Sequence, residues 1–500
     1  MTASVVRPAA AVAAAVVDVA SPPVPEAIPP IAYDPAVLPV LLQALDGIDV
    51  ITDLSRVERL SRDFAWFSPV LKRELEGKRA DVVVRPRTEE EIVRVVSACA
   101  RLGVPLTPRG SGTGNYGQCT PIHGGVLLDL SGYNQFMWCR HGVGRAQAGI
   151  RLADFDTQAR PKGWELRWLP STFRSATLGG LYGGGFGGLG SINYGPLAAP
   201  GNVLGLKAIT IEAEPKLIEL RGADALLLHH VYGTNGLVLE LEVALAPAHD
   251  WLETLVVFDH FDHALNAADS IARAPGIEKK GVTFLAAPVP AYLTALAEYL
   301  PSGCHALICI VAEHSEDGFK QLVSEAGGRI SYRRTAEEVA SSKRTLMEFA
   351  WNHTTLHALK VDPGLTYIQT GFDPTCHLAQ VRALREALGD EMLVHLEFIR
   401  TKEGAHNCSG LQMLHYSTDE RLAQIMQIHR DHGVMIANPH VWRVEDGKQG
   451  RINREVVATK ARLDPQGLLN PGKLRGWDER VALLAAAATA EEKQATLPRF

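Results

Sequence analysis

Apolar residues recur along the chain with two different periods, and the changes of period mark the elements. Asp81-Val82-Val83-Val84-Arg85-Pro86 is an apolar run stopped by proline, the pattern of a short buried strand. Thr88 follows as an N-cap, and Glu89, Glu90 and Glu91 fill the turn where a helix dipole favours acids. Ile92, Val95, Val96 and Cys99 then form an i, i+3, i+4, i+7 stripe that Gly103 ends. The spacing predicts strand, helix and a second strand at 104–107, a glycine loop over 110–117, and a further strand at 125–130. A short helix is expected at 35–45. Strand alternation returns at 203–213 and at 237–245, where Pro247 closes it. From Trp251 to about Asp431 glycine thins out, and strands at 305–313, 365–369 and 392–399 alternate with helical stretches. That is the pattern of a second α+β unit. Proline and glycine punctuate the chain again after Asp431, and 478–493 reads as a charged, alanine-rich terminal helix.

Composition narrows the classes. With 46% hydrophobic and 21% charged residues the chain is an ordinary globular protein, which excludes a disordered, collagen-like or coiled-coil one. Its 500 residues have room for roughly two to four domains. A net charge of −6 supplies no basic field for nucleic acid or anionic lipid. No apolar stretch is long enough to span a membrane. The N-terminal run 9–17 is short, broken by Asp18 and followed by prolines, so a leader is expected there rather than a secretory signal. Seven cysteines without paired spacing point to a reduced, cytoplasmic chain. The 45 glycines, many of them between Gly103 and Gly205, point instead to backbone held against a ligand.

Two glycine clusters match GxGxxG, at 112–117 and 183–188. The Rossmann reading needs a helix directly after the glycines. The stretch Gln118-Cys119-Thr120-Pro121-Ile122-His123-Gly124-Gly125 cannot open one. A P-loop fails because no Gly-Lys-Ser/Thr follows. What remains is a loop, Pro108-Arg109-Gly110-Ser111-Gly112-Thr113, whose successive N–H groups could form a nest around a pyrophosphate. A tight turn before a strand would have the same residues.

Four ordered blocks carry a family resemblance: 108–113; Ser175-Ala176-Thr177-Leu178-Gly179-Gly180 with Asn193-Tyr194-Gly195 and Asn202-Val203-Leu204-Gly205; Tyr232-Gly233-Thr234-Asn235-Gly236-Leu237-Val238; and Lys460 with Leu463-Asp464-Pro465-Gln466-Gly467-Leu468-Leu469-Asn470-Pro471-Gly472-Lys473. Together they resemble the FAD-linked oxidases of the vanillyl-alcohol oxidase / p-cresol methylhydroxylase superfamily, nearest the glycolate oxidase and D-lactate dehydrogenase branch. The resemblance implies an α+β, two-part fold: a PCMH-type FAD-binding domain with an inserted α+β cap that covers the flavin. The expected division is a leader at 1–40, the FAD-binding domain at 41–250, the cap at 251–430, a segment at 431–475 returning to the FAD domain, and a terminal helix at 476–500. The implied FAD contacts are Pro108, Arg109, Gly110, Ser111, Gly112 and Thr113 at the pyrophosphate. They continue with Pro170, Ser171, Ala176, Thr177, Leu178, Gly179, Gly180, Gly184, Val203, Gly236, Val238 and Asn470. The first loop lacks the histidine, and the second the preceding cysteine, that carry covalent flavin in relatives. FAD is therefore expected to be noncovalent, with Cys119 as the alternative anchor.

The implied reaction is hydride transfer from the C–H of an alcohol, hydroxyacid or phenolic small molecule to flavin N5, with O2 or another acceptor reoxidising the cofactor. The alternative is a non-redox lyase or transferase of the alkyl-dihydroxyacetone-phosphate synthase type, or a flavin-binding protein without turnover. The substrate's departing proton needs a base, and histidine is the usual one, titrating near 6.5 when unperturbed. His440 and Asn438, in the returning segment Gly433–Trp442, match the flavin-side position, and His353 and His415 are further candidates. His353 and His357 stand i, i+4 and could bind zinc, although a plain helix face suits them better, and no metal is assigned. His395 with Glu397, and Tyr367 with Gln369, share strand faces and could line a pocket. The region 347–360 lacks the arginine that clamps a carboxylate in many hydroxyacid-oxidising relatives. The sequence leaves the electron acceptor and oligomeric state open, and a homo-oligomer is compatible with it.

Overall fold

The protein is described by a computed structural model over residues 33–342 and 344–480. Most of the expected leader, and most of the expected terminal helix, lie outside the described residues. Of the expected helix at 35–45, Leu38–Ala44 is α-helical after a turn of 3-10 helix.

The first sheet is small and has the order β1-β2-β4-β3, from β1 (Asp49–Ile51), β2 (Val82–Arg85), β3 (Leu106–Arg109) and β4 (Val126–Asp129). β2 and β3 both run parallel to β4. The helix Glu89–Leu102 crosses between β2 and β3, and its ends carry the expected caps. Thr88 Oγ1 accepts from the Glu91 N–H at 3.2 Å, and Gly103 takes a left-handed φ of 65°. Ile92, Val95, Val96 and Cys99 are fully buried against the sheet.

A second, antiparallel sheet follows, from β5 (Phe136–Arg140), β6 (Val143–Gln147), β7 (Trp164–Leu166), β8 (Val203–Ile209), β9 (Leu217–Arg221) and β10 (Leu237–Pro247). Its order is β5-β6-β10-β8-β9, with β7 against the end of β10. The second glycine cluster lies in the long connection between β7 and β8, which also carries the helix Leu178–Gly184.

The remaining strands are β11 (Trp251–Phe258), β12 (Lys279–Leu285), β13 (His305–Ala312), β14 (Arg329–Arg334), β15 (Leu365–Tyr367), β16 (Gln369–Gly371), β17 (Met392–Leu393), β18 (His395–Arg400), β19 (His406–Gly410), β20 (Met413–His415) and β21 (Met435–Ala437). Eight of them form one antiparallel sheet, β14-β11-β13-β12-β18-β19-β16-β21, and β15-β20-β17 make a small side sheet. Two sequence expectations change here. The strand expected at 365–369 is two strands in two sheets. The Ile368 N–H bonds to the Gln412 carbonyl at 2.9 Å while the chain passes from one sheet to the other. The chain also stays in the large sheet past 431, because β21 pairs with β16, and leaves it only after Ala437.

The large sheet is buried on both faces. Val256, Val282, Phe284, Leu307 and Leu396 pack under the helices Phe261–Arg273, Glu316–Glu325, His377–Leu388 and Asp419–Asp431. Leu255, Leu285, Ile308 and Ile310 form the opposite layer, into which Leu189 and Tyr116 of the glycine-rich half also pack. After Ala437 the chain returns to the first sheet. The Leu106 N–H donates to the Leu468 carbonyl at 2.9 Å, and the Asn470 N–H donates to the Leu106 carbonyl at 2.7 Å. Fully buried Lys460 fixes this return by donating to Asp464 at 2.5 Å and to the carbonyls of Leu469 at 2.7 Å and Thr234 at 2.9 Å.

Candidate functional site

The two glycine loops face one another across a narrow seam, and the returning segment closes one end of it. Ser111 Oγ donates to the Ser175 carbonyl, directly joining the loops. The first loop is held by groups from distant parts of the chain. The Phe64 N–H donates to the Gly114 carbonyl at 2.7 Å, and Lys473 Nζ donates to the Gly117 carbonyl at 2.6 Å. Arg109 folds back beneath the loop, donating to the carbonyls of Arg62 at 2.9 Å and Ser111 at 3.0 Å. The N–H groups of Ser111, Gly112, Thr113 and Gly114 meet no acceptor among the described residues. Buried or half-buried donors are rarely left so. A run of them at one turn, beside a guanidinium, fits an anion.

The other expected cofactor residues lie on the second loop and its helix, on β8 and β10, and on the returning segment. Thr177 caps the helix Leu178–Gly184 by accepting from the Gly180 N–H at 3.1 Å, and the Gly179 N–H donates to the Ala148 carbonyl at 2.8 Å. The Pro170 carbonyl accepts from the Phe173 N–H at 2.9 Å, and Ser171 is buried beside it. Ala176, Leu178 and Val203 belong to the apolar cluster behind the helix, where Val238 packs. Gly236 has a φ of 79° at the start of β10. Asn470 takes a φ of 42°, unusual for a residue with a side chain. Its Nδ2 bonds to the carbonyls of Gln118 at 2.9 Å and Tyr232 at 2.7 Å, while its buried Oδ1 has no partner. Bare backbone, unspent donors and an orphaned acceptor on one seam fit an extended dinucleotide.

Two of the histidines expected near the substrate stand where the halves meet: His353, on the carbonyl of Glu348, whose carboxylate pairs with Arg174 at 2.8 Å, and, more deeply buried, His440. It is 3% exposed, its Nδ1 lies 2.8 Å from Ser68 Oγ, and its Nε2 is unpartnered. Its ring lies 6.2 Å from that of Tyr367, whose hydroxyl accepts from Asn115 of the first loop at 2.6 Å. Asn438 turns back on its own chain, Oδ1 accepting from the His440 N–H at 3.0 Å, so the imidazole is the inward group. His353 sits in the first turn of the helix Asn352–Val361, its Nδ1 3.2 Å from the Glu348 carbonyl, and His357 stacks on Phe349. His415 is half exposed near Asp362, paired with Leu365 at the opposite end of β15 from Tyr367. Among the described residues no cluster of three or more His, Cys, Asp or Glu could hold a metal ion, and no helix is long and apolar enough to cross a membrane.

Burial sets the protonation states. It pushes His440 down to about 4, so the imidazole is neutral at neutral pH and the expectation of a titration near 6.5 is corrected downward. Tyr116, Tyr232 and Tyr367 are raised by burial and keep their protons. Burial pushes the Cys119 thiol up to about 11, a poor state for a nucleophile. Beneath the first loop Asp63 is raised and Lys473 lowered, both chiefly by burial, with their mutual attraction opposing it. The sequence reading missed Asp63, Asn115, Tyr116 and Gln118. Asp63 is distant in sequence and had no local signal. The bulky Asn115-Tyr116 and Gln118 inside a glycine loop were a signal that could have been used.

The fold and seam define a two-part FAD-binding protein with an inserted cap, and the comparisons agree. Residues 80–220 match the FAD binding domain family. The chain is 26% identical over 436 residues to the glycolate oxidase subunit GlcD of Bacillus subtilis, which covers 81% of this chain and 91% of that one. It is 27% identical over 192 residues to a D-lactate dehydrogenase of Anaerostipes hadrus, covering 36% of this chain and 39% of that one. Among solved structures, an alkyldihydroxyacetonephosphate synthase matches with a TM-score of 0.63 at 16% identity, over 89% of this chain and 86% of that one, a likeness of fold. Residues 80–220 thus carry an FAD-binding domain, and over most of its length the chain is similar to FAD-linked oxidoreductases.

Proposed function

We propose that the protein oxidises a small molecule at a C–H bond bearing a hydroxyl, with noncovalent FAD seated between the glycine loops. The observation that carries this is the run of unspent N–H donors at 111–114, on a loop that Ser111 joins to Ser175 just before the Thr177-capped helix and that Asn470 grips at Gln118. Ser111 to Gly114 would hold the pyrophosphate, with Arg109 supplying positive charge. When bound, FAD supplies the hydride acceptor. The chain's own part is to orient the substrate, exclude water and take its proton. His440 is the proposed acceptor: Ser68 fixes one ring nitrogen, and the unpartnered Nε2 is free to take the proton from the substrate hydroxyl. In this reading Tyr116 and Tyr367, kept protonated by burial, would donate hydrogen bonds to a substrate oxygen.

Alcohols, hydroxyacids and phenols form the proposed substrate class, with O2 or another acceptor completing the cycle. The free state of all seven cysteines supports a reducing, cytoplasmic setting. The test begins with the purified protein, which should be yellow and release intact FAD on acid precipitation. A colourless protein that stays apo with added FAD overturns the reading, and flavin left in the pellet overturns the noncovalent part. An anaerobic screen of the three substrate classes should then bleach the flavin. Product formed without bleaching would assign the non-redox reaction instead.

A further inference from the structure

Gln118 forms a second link between the two glycine loops, beyond that of Ser111 to Ser175. Its main chain is fixed on both sides, since Asn470 Nδ2 donates to its carbonyl at 2.9 Å and Lys473 holds the preceding carbonyl, that of Gly117, at 2.6 Å. From this anchored position the side chain leaves the first loop and crosses to the second, where Nε2 donates to the Gly184 carbonyl at 2.6 Å. The glycines it passes between are bare on its account. A Cβ at Gly114 would collide with Gln118 Oε1, and one at Gly184 would press on Nε2. Two glycines of the facing loops thus leave room for one carboxamide between them.

That carboxamide is only partly used. Oε1 accepts from no donor among the described residues, and one N–H of Nε2 is free beyond the bond to Gly184. A free acceptor and a free donor side by side complement a ring edge that also presents both. The pyrimidine ring of an isoalloxazine has such an edge, an N–H between two carbonyls. Adenine has another, so position must decide. The unspent N–H donors lie at 111–114, and the loop then runs toward the cap, where Asn115 bonds to Tyr367. Gln118 lies three residues beyond Asn115, which bonds to Tyr367 of the cap, and in the reading above the cap covers the flavin.

We propose that Gln118 is the specificity residue that distinguishes a flavin dinucleotide from a bare adenosine diphosphate. While still holding the Gly184 carbonyl, its carboxamide offers the free Oε1 and the second N–H to the N–H/carbonyl edge of the isoalloxazine. The proposal rests on the FAD reading above and assigns one contact within it. The experiment titrates flavin-stripped wild type, Gln118→Ala and Gln118→Leu with FAD and, separately, with ADP, which shares the pyrophosphate and adenosine but lacks the flavin. Losing a paired hydrogen bond in a dry site should weaken FAD about tenfold in both variants and leave ADP binding unchanged. Equal loss for FAD and ADP would overturn the proposal, making Gln118 a strut between the loops or an adenine contact. Unchanged FAD affinity in both variants would overturn it as well. Wild type that binds neither nucleotide would fail the cofactor reading itself, a result distinct from either.

Discussion

The two halves of the molecule solve opposite problems with opposite materials. In the cap, every residue of β12 and β13 is buried, both sheet faces are covered, and β11 and β13 pair without a break across eight residues each. In the glycine-rich half the working surface is loop, and His230, Tyr232 and Asn470 there have positive φ, at 51°, 57° and 42°, against Trp351 at 52° in the cap. The cap is held by apolar contact, and its chemistry lies in a few buried side chains. The seam is held by side chains gripping carbonyls, Arg109, Lys473, Gln118 and Asn470 among them, so that backbone N–H groups stay free. Backbone chemistry therefore shows in composition as glycine. Side-chain chemistry inside an apolar layer leaves no such trace.

The sharpest way to break this contrast is to put a side chain into the seam. Gly112 has a φ of 66°, and a Cβ there would run into the Arg109 guanidinium. Gly112→Val should abolish FAD binding while the cap stays folded, measured by flavin retention on gel filtration alongside circular dichroism. A variant with full flavin occupancy would reduce the loop to an ordinary turn.

The next effect is on rate. His440→Ala should slow anaerobic flavin reduction by roughly 10²–10⁴-fold with FAD occupancy unchanged. Because burial pushes its folded value down to about 4, wild-type reduction should hold its rate from neutrality down to that region and fall below it, and the variant should lose this limb. Stability follows the same sign. A depressed imidazole contributes stability that is present above the unfolded value, near 6.5, and is lost as pH falls toward the folded one. His440→Gln should therefore lose less stability than wild type between about pH 6.5 and pH 4, as read from urea midpoints. A rate limb that stays near 6.5 in both proteins would remove His440 from the base role.

Much of the first half was legible because its signals are local. Thr88, the three glutamates and Gly103 delimit one helix by rules that need no tertiary contact, and they hold to the residue. The glycine loops were legible as loops. Their partners were not, because Asp63, Tyr367 and Lys473 reach the first loop from three distant segments. The cap was legible as alternating α and β but not in detail. Tyr367 and Gln369 read as one strand face, yet they separate at Ile368 into different sheets, since period-two alternation does not say which neighbour a strand pairs with. His395 and Glu397 were one face of one strand, as read. In the fold they form a fully buried pair at 2.9 Å, with Glu397 also accepting from Thr283 at 2.7 Å and from the Trp351 N–H at 2.6 Å.

If the cap is held by packing alone, a cavity there should cost stability and spare the cofactor. Phe284 is fully buried between β13 and β18. Phe284→Ala should destabilise the protein by ~3–5 kcal/mol in chemical denaturation. FAD affinity measured on the folded fraction should match wild type. A parallel loss of FAD affinity would mean that the two halves are coupled more tightly than this division allows.

The smallest effect is expected at the cap's surface, where neither packing nor bare backbone is at stake. Glu316 accepts from Arg333 at 2.7 and 2.8 Å, and that hydrogen bonding, with Lys320 beside it, draws its carboxyl down to about 2. Arg333 remains largely solvated, so screening limits the pair, and Arg333→Ala should cost no more than ~1 kcal/mol at neutral pH and less at high salt. The sign of the pH dependence follows from a depressed carboxylate. Its contribution is present above the unfolded value, near 4.3, and is lost as pH falls toward the folded one. The wild-type advantage over Arg333→Ala should therefore shrink between about pH 4.5 and pH 2, and urea midpoints of the two proteins should converge there. A constant gap down to pH 2 would show that Arg333 acts through its alkyl stem against the cap rather than through charge, which would extend apolar control of the cap out to its surface.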